Sequence, residues 1–327
     1  MRLTRRQAIA GCGGGLAWLA AFPAEAQGAY PGRTIKMIVP YPAGGTTDLL
    51  GRMVADQFKT GLNATVVVEN KPGAGTTLGA DQVAKSEPDG YTLLMATSTT
   101  LAINKTLYKK LPYDPVKDFA PIGLVAAVPF ALIINPEIPA KTLAEFIAYA
   151  KSKPGLAFGS AGNGSPQHLG AAMLRTAAGI DIRHVPYRGS IPAMLDVIAG
   201  HIPFMVVDLQ PALQQIQEGK VRVLGVTTPK RVAIAPDIPT IAEAGLPGYE
   251  LVAWQGVVAP AGTPRPVVDA LAAQMGKLMA DPAIQDKLKT LSLAPLPPST
   301  PDSFAAYIKA EVERWAVIVK NSGAEIE

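Results

Sequence analysis

The chain has 327 residues, 48% of them apolar and 17% charged, which excludes a disordered polymer and supplies material for more than one buried core. Thirty basic against 26 acidic residues leave a net charge of +4 with no basic run, which excludes nucleic acid as a partner on electrostatic grounds. A single cysteine excludes a disulfide framework.

The N-terminus reads as an export signal. Arg2, Arg5 and Arg6 precede an uncharged apolar stretch over residues 8–21, and Ala24-Glu25-Ala26 supplies a cleavage site, so residues 1–26 form a signal peptide. The apolar run is about 14 residues, short of the ~20 that span a bilayer. Thr4-Arg5-Arg6-Gln7 leaves a twin-arginine route open beside the Sec route. Ile9-Ala10-Gly11-Cys12 has the letters of a lipoprotein box but lies ahead of the apolar run, which argues against lipidation. Cleavage removes three arginines, one glutamate and Cys12, so 27 basic and 25 acidic residues remain and the mature protein has no thiol. No later stretch is apolar enough for a membrane span, so the mature chain is not expected to be membrane-embedded.

Beyond the signal, short β-rich runs alternate with helical patterns, the mark of parallel sheets flanked by helices. Residues 35–39 predict a strand, followed by a glycine-rich turn and a helix over 47–58; residues 65–69 repeat the plan with a helix through 85. Residues 91–96 predict a third strand after the turn Pro88-Asp89-Gly90. A second set starts with a strand at 131–134. Thr142-Leu143-Ala144-Glu145 is a capping box that opens a helix to 151. A strand at 156–159 leads to a helix that Ser165 caps, Pro166 starts and Gly179 ends. Then come a strand at 182–185, a helix at 190–199, and strands at 203–207 and 221–226. An apolar strand at 251–258 precedes two long helices, near 264–279 and 301–320.

No linker separates the two sets. The simplest layout is two α/β domains between which the chain crosses twice, near residues 125–129 and 252–256, with the C-terminal helices packed back on the first domain. The expected division is 27–126 plus 255–327 for domain 1 and 127–254 for domain 2. Two extended crossings make a hinge suited to closure on a ligand.

Three segments leave the C-terminal end of a strand and enter a helix: Pro42-Ala43-Gly44-Gly45-Thr46-Thr47-Asp48, Pro72-Gly73-Ala74-Gly75-Thr76-Thr77, and Ser160-Ala161-Gly162-Asn163-Gly164-Ser165-Pro166. A helix start offers unpaired N–H donors and partial positive charge, glycine lets a ligand approach the backbone, and hydroxyls add donors. An anion could be held there without lysine or arginine. Helix capping alone also accounts for glycine and threonine in any one such turn. Asp208 ends a strand and would either face the same cleft, accepting from a hydroxyl or ammonium, or cap the next helix. Asp48 reads as a first-turn cap.

Enzyme signatures are weak. Gly73-Ala74-Gly75 with Gly79 misses the dinucleotide fingerprint and lacks its acidic partner. No G-x-S-x-G or Walker sequence occurs. His168, His184 and His201 have no metal-ligand spacing. Ser165 and His168 suggest a hydrolase only in outline, because the acid of a triad is missing.

Six segments together resemble one family, the Bug-type substrate receptors of tripartite tricarboxylate transporters. They are Val39-Pro40-Tyr41-Pro42-Ala43-Gly44-Gly45 with Asp48; Val68-Glu69-Asn70-Lys71-Pro72-Gly73-Ala74-Gly75; Pro88-Asp89-Gly90-Tyr91-Thr92-Leu93; Leu111-Pro112-Tyr113-Asp114-Pro115; His184-Val185-Pro186-Tyr187-Arg188-Gly189; and Ala259-Pro260-Ala261-Gly262-Thr263-Pro264. Arg188 stands where members of the family commonly have lysine. The resemblance implies a type II periplasmic-binding-protein fold with flytrap closure, no catalysis and no cofactor or metal. It implies a monomeric periplasmic receptor that binds a small carboxylate (a di- or tricarboxylate, an aromatic carboxylate or an acidic amino acid) and docks with the transporter's membrane subunits. The site residues it implies are Ala43, Gly44, Gly45, Thr46, Thr47, Gly75, Thr76 and Thr77, with Ser98 and Thr99 beside them and Ser160, Asn163, Gly164, Ser165 and Asp208 opposite. The alternatives are a receptor of a TRAP-type or other secondary transporter, for which Arg188 would be the carboxylate clamp, and an exported serine hydrolase.

Overall fold

The computed structural model describes residues 30–322 and residue 324. The signal-peptide reading of residues 1–26 lies outside the described residues.

β1 (Ile35–Val39) buries every residue except Lys36. α1 (Thr46–Gly61) follows, then β2 (Val66–Asn70), α2 (Thr77–Ala84) and β3 (Thr92–Thr97). A π-helical turn over Thr99–Ile103 runs straight into α3 (Asn104–Leu107). β4 (Phe119–Ile134) is 16 residues long, where the sequence predicts only its last four. Pro121, Gly123 and Pro129 break the apolar pattern there, and the ladder shifts register between Pro121 and Gly123 and again between Leu124 and Ala126.

α4 (Leu143–Ser152) starts with the expected capping box: Thr142 Oγ1 accepts from the Glu145 N–H and Glu145 reaches back to the Thr142 N–H. β5 (Leu156–Ser160), α5 (Pro166–Ala178), β6 (Ile182–Pro186), α6 (Ser190–Ile198) and β7 (Phe204–Asp208) continue the alternation. Ser165 caps α5, Pro166 opens it and Gly179 ends it at φ 60°. α7 (Leu209–Gln217), β8 (Arg222–Val226) and β9 (Val252–Pro260) follow. The C-terminal part consists of α8 (Arg265–Ala280), α9 (Pro282–Thr290), β10 (Ala294–Pro295) and α10 (Pro301–Ser322).

The strands run in the order β2-β1-β3-β9-β4-β7-β5-β6. β1 pairs in parallel with β2 (Ile35↔Val66) and β3 (Lys36↔Thr92). β9 pairs antiparallel with β3 (Leu94↔Val258) and with β4 from Phe119 to Pro129. The remainder of β4 belongs to a second half-sheet, pairing with β7 (Phe130↔Asp208) and with β8. β5 joins β6 and β7 in parallel. Thus β4 and β9 are the two strands that lead from one half to the other, and they lie side by side at Val128↔Ala253 and Pro129↔Val252.

α8 packs on β4 and α1, while α10 lies against β4, the π-helical turn, α3 and α5. α10 also anchors β9. Buried Glu311 accepts from the indole N–H of Trp254 at 2.7 Å and of Trp315 at 2.9 Å. Both rings are fully enclosed, so each N–H requires an acceptor and Glu311 supplies both. Among the described residues, no helix is long and apolar enough to cross a membrane, and no cluster of three or more His, Asp, Glu or Cys is placed to hold a metal ion.

Candidate functional site

The C-terminal ends of β1 and β7 face each other across the line where the halves meet. Between them lies a cavity of about 220 Å³, walled by Gly45, Thr46 and Thr47 of the first half and by Gln167, Ser190 and Asp208 of the second. Apolar walls come from Val128, Phe130, Ile191, Pro192 and Trp254. Tyr41 and Pro42 line this cavity and also a second compartment of about 430 Å³, bounded by Gly75, Thr76, Thr99, Asn163, Ser165 and Arg188.

The first half presents the start of α1. Its N-cap is Gly45, which brings no side chain to cap the first turn. Gly44 N–H is not available to a ligand, because it donates to Asp48 Oδ2 at 3.0 Å. Asp48 also accepts from Arg52 and from Asn70 Nδ2. Burial pushes its carboxyl up, but these donors outweigh burial and hold it below the ordinary carboxylate value. Asp48 is therefore the turn's structural brace, while Gly45, Thr46 and Thr47 at the start of α1 border the cavity. Thr47 Oγ1 accepts from Gln255 Nε2 at 3.0 Å.

The second half presents Asp208. It occupies the N-cap position of α7 without capping it. Instead Oδ2 accepts from Thr46 Oγ1 across the cleft at 3.0 Å and from Ser190 Oγ at 3.4 Å, while Oδ1 accepts from Gln167 Nε2 at 2.5 Å. All three donors are neutral. Burial raises the Asp208 pKa and these hydrogen bonds oppose the rise. Nearby Tyr41 is neutral, its own pKa pushed up to about 12 by burial. Among the described residues lining this cavity there is no lysine, arginine or histidine.

The expected site residues separate into three groups. Ala43, Gly45, Thr46, Thr47 and Asp208 border the first cavity. Gly75, Thr76, Thr99, Asn163 and Ser165 border the second compartment. Gly44, Thr77, Ser98, Ser160 and Gly164 border neither. Thr77 Oγ1 is spent on the Ala74 carbonyl, and Ser98 is fully buried. Ser160 Oγ is held by His184 Nε2 at 2.6 Å. Gly164 serves the seam between the halves: a Cβ there would stand 1.8 Å from Leu107 Cδ2. Gly75 is a second seam point, with its Cβ position 3.3 Å from the Asn163 carbonyl oxygen. The turn at Gly75 holds three successive left-handed residues, Ala74, Gly75 and Thr76, at φ 45°, 59° and 76°. The two non-glycines carry strain of about 1–3 kcal/mol each. Tyr108 and Asn104 fix the turn by donating to the Ala74 and Gly75 carbonyls.

Gln167, Ser190, Gln255 and Trp254 are among the wall residues that sequence reasoning did not single out. Gln255 carries a signal, since it is a lone polar residue in the apolar strand β9. Gln167 follows Pro166 in the first turn of α5, where no pattern distinguishes it from a solvent-facing residue.

The histidines are structural. His168 and His184 stack with ring centroids 3.9 Å apart, and His168 Nδ1 accepts from the Gly164 N–H at 3.1 Å. Burial, then the neighbouring His184 and Arg175, lowers the His168 pKa to about 3, and burial lowers that of His184 to about 4. Both are neutral supports of the 160–165 loop. Ser165 Oγ is spent on the Gly162 carbonyl and the His168 N–H, so the outlined Ser165–His168 pair is a helix cap.

The sequence model of the tripartite tricarboxylate transporter family receptor matches residues 50–324. The chain is 39% identical over 293 residues to a UPF0065 protein from the tcbD-tcbE intergenic region of Pseudomonas sp. (strain P51), covering 89% of this chain and 87% of that protein. It is 34% identical to protein BugT of Bordetella pertussis over the whole of both chains. Among solved structures, the periplasmic binding protein BugD superposes with a TM-score of 0.86 at 39% identity, over 91% of this chain and all of that one. An R. palustris protein with adipate gives 0.87 at 33%, with the same coverage. MatC from Rhodopseudomonas palustris with bound malate gives 0.84 at 33%, over 89% of this chain and all of that one.

Proposed function

The chain belongs to the tripartite tricarboxylate transporter receptor family, and on that premise we propose that it captures a small carboxylate between its halves and delivers it to the membrane subunits of such a transporter. It is a solute-binding receptor with the periplasmic-binding-protein fold, not an enzyme. The adipate and malate bound to its structural neighbours support the ligand class. Residues 27–126 with 255–327 act as one lobe and 127–254 as the other. β4 and β9 form the hinge about which they close. The receptor works in the periplasm as a monomer.

One observation carries the reading. The start of α1, without a side-chain cap, borders a cavity whose described lining holds no cation. Main-chain N–H groups and the α1 dipole are then the source of positive potential for a carboxylate. Hydrogen bonds to a charged group contribute about 1.5–3 kcal/mol each, so three or four give a gross gain comparable to the ~8 kcal/mol of a micromolar complex, before the costs of association.

Calorimetry with C4–C6 dicarboxylates, aromatic acids and acidic amino acids tests this on wild type and Gly45→Val. Gly45 has ordinary extended φ of −86° and open space at its Cβ position, so valine is compatible with the fold but obstructs the α1 start. Loss of carboxylate binding in Gly45→Val with an unchanged melting curve supports the site. Unchanged binding in Gly45→Val, with loss in Arg188→Ala, refutes it in favour of an arginine clamp at the exposed wall of the second compartment.

A further inference from the structure

The first cavity holds an acid without a counter-ion. Among the described residues that line it, Asp208 is the only acidic one and none is lysine, arginine or histidine; Asp208 is 8% exposed, and its side-chain partners are all neutral: Thr46, Gln167 and Ser190. The elements packed around it add no counter-ion. Phe130 is its partner on β4, Thr46 faces it from α1, Gln167 from α5 and Ser190 from α6, and nearby Tyr41 is neutral. Asp48 is already paired with Arg52, and Arg188 is exposed on the other compartment. A buried carboxylate without a cation is a costly arrangement unless something completes it.

A bare carboxylate ligand would worsen that imbalance by adding a second negative charge, and a dicarboxylate would add two. A ligand that carries its own cation would relieve it. Gln167 is committed to the wall: its amide nitrogen donates to Asp208 and Ser190, which fixes the orientation of the group. The wall of the second half thus offers the Asp208 carboxylate as acceptor, and the α1 start opposite offers donors.

Spacing narrows the class further. Thr46 is the first residue of α1, and its hydroxyl donates directly to Asp208 at 3.0 Å. The donor end and the acceptor end of the cavity are therefore adjacent, so the ligand's anion and cation must be neighbours as well. We propose that the ligand is an α-amino acid bound as a zwitterion, its carboxylate on the first turn of α1 and its ammonium on Asp208. This inference rests on the receptor reading above and specifies the ligand of the same cavity. Asp208 is then the specificity residue.

The test uses two matched series that differ only at the α carbon. One is aspartate, malate and succinate. The other is leucine, 2-hydroxy-4-methylpentanoate and 4-methylpentanoate. Calorimetry at pH 7 on the wild-type protein is expected to rank amine above hydroxyl above hydrogen in any series that binds. The amine should be favoured at least tenfold over the hydroxy acid, the value of one charge-assisted hydrogen bond. Asp208→Asn, checked by its melting curve, should weaken the amine at least tenfold relative to the unsubstituted acid measured on the same variant. Succinate or malate binding as tightly as aspartate, or Asp208→Asn sparing amine affinity, overturns the inference while the carboxylate-receptor reading stands. If no member of either series and no other carboxylate binds, the receptor site itself is refuted. If Asp208→Asn does not fold, the wild-type series decides alone.

Discussion

Replacing Gly164 by alanine separates closure from stability. The added Cβ would stand 1.8 Å from Leu107 Cδ2, across the seam between the halves. Leu107 must turn or shift to admit it, and overpacking of this kind costs about 1–3 kcal/mol. On the proposed closure, that cost exists only while the halves are in contact, so it weakens ligand affinity by roughly 5- to 150-fold at 1.4 kcal/mol per factor of ten. Gly164 also sits at φ +71°, where alanine is strained by about 1–2 kcal/mol whether the halves touch or not. The control is Gly155→Ala, at φ +76° with nothing within 4 Å of the added Cβ. Both variants should lose similar melting temperature, and only Gly164→Ala should lose affinity by calorimetry. Equal affinities for the two variants would refute the seam as a closing contact, as would weakened binding in Gly155→Ala.

Two further outcomes follow from buried groups outside the cleft. Glu311→Ala leaves the indole N–H groups of Trp254 and Trp315 without an acceptor and should cost about 2–5 kcal/mol in denaturant unfolding, with Glu311→Gln losing less. A loss under 1 kcal/mol would contradict the role given to Glu311. The histidine pair sets an acid limit. His168 and His184 protonate near 6.5 in the unfolded chain but at about 3 and about 4 when folded, so the unfolded state takes up protons first as pH falls. Stability is full above about pH 6.5 and declines from there, down to about pH 4 through His184 and about pH 3 through His168. His168 alone costs about 2 kcal/mol at pH 5, at 1.36 kcal/mol per unit. Melting curves of wild type and His168→Gln should converge as pH falls from 7 to 5; parallel curves would exclude the effect.

Much of this arrangement is legible in the sequence because local chemistry dictates it. The turn after β1, the Thr142–Glu145 box and the Ser165-Pro166 start depend on neighbouring residues alone. The sequence pattern reveals only a quarter of β4 because prolines and a glycine interrupt it, and the pairing that overrides them comes from β9, more than a hundred residues away. The helical stretch after β3 was missed because Thr99 and Thr100 lower helix propensity, while burial of the whole Thr99–Ile103 segment holds it. The site residues show the same division. Sequence identifies turns rich in glycine and hydroxyls, but not which wall each residue joins. Gly164 packs on Leu107 because α3 reaches across, and Gln167 meets Asp208 because α5 and β7 are neighbours in the fold.

The most direct measurement is a crystal structure with the tightest-binding acid. The α1 start predicts a carboxylate within hydrogen-bond reach of the Thr46 and Thr47 main-chain N–H groups, with atoms from both halves closed over the ligand. A carboxylate seated instead on the Arg188 guanidinium, with the first turn of α1 facing solvent, would contradict the claim that the main chain, not a cationic side chain, holds the anion.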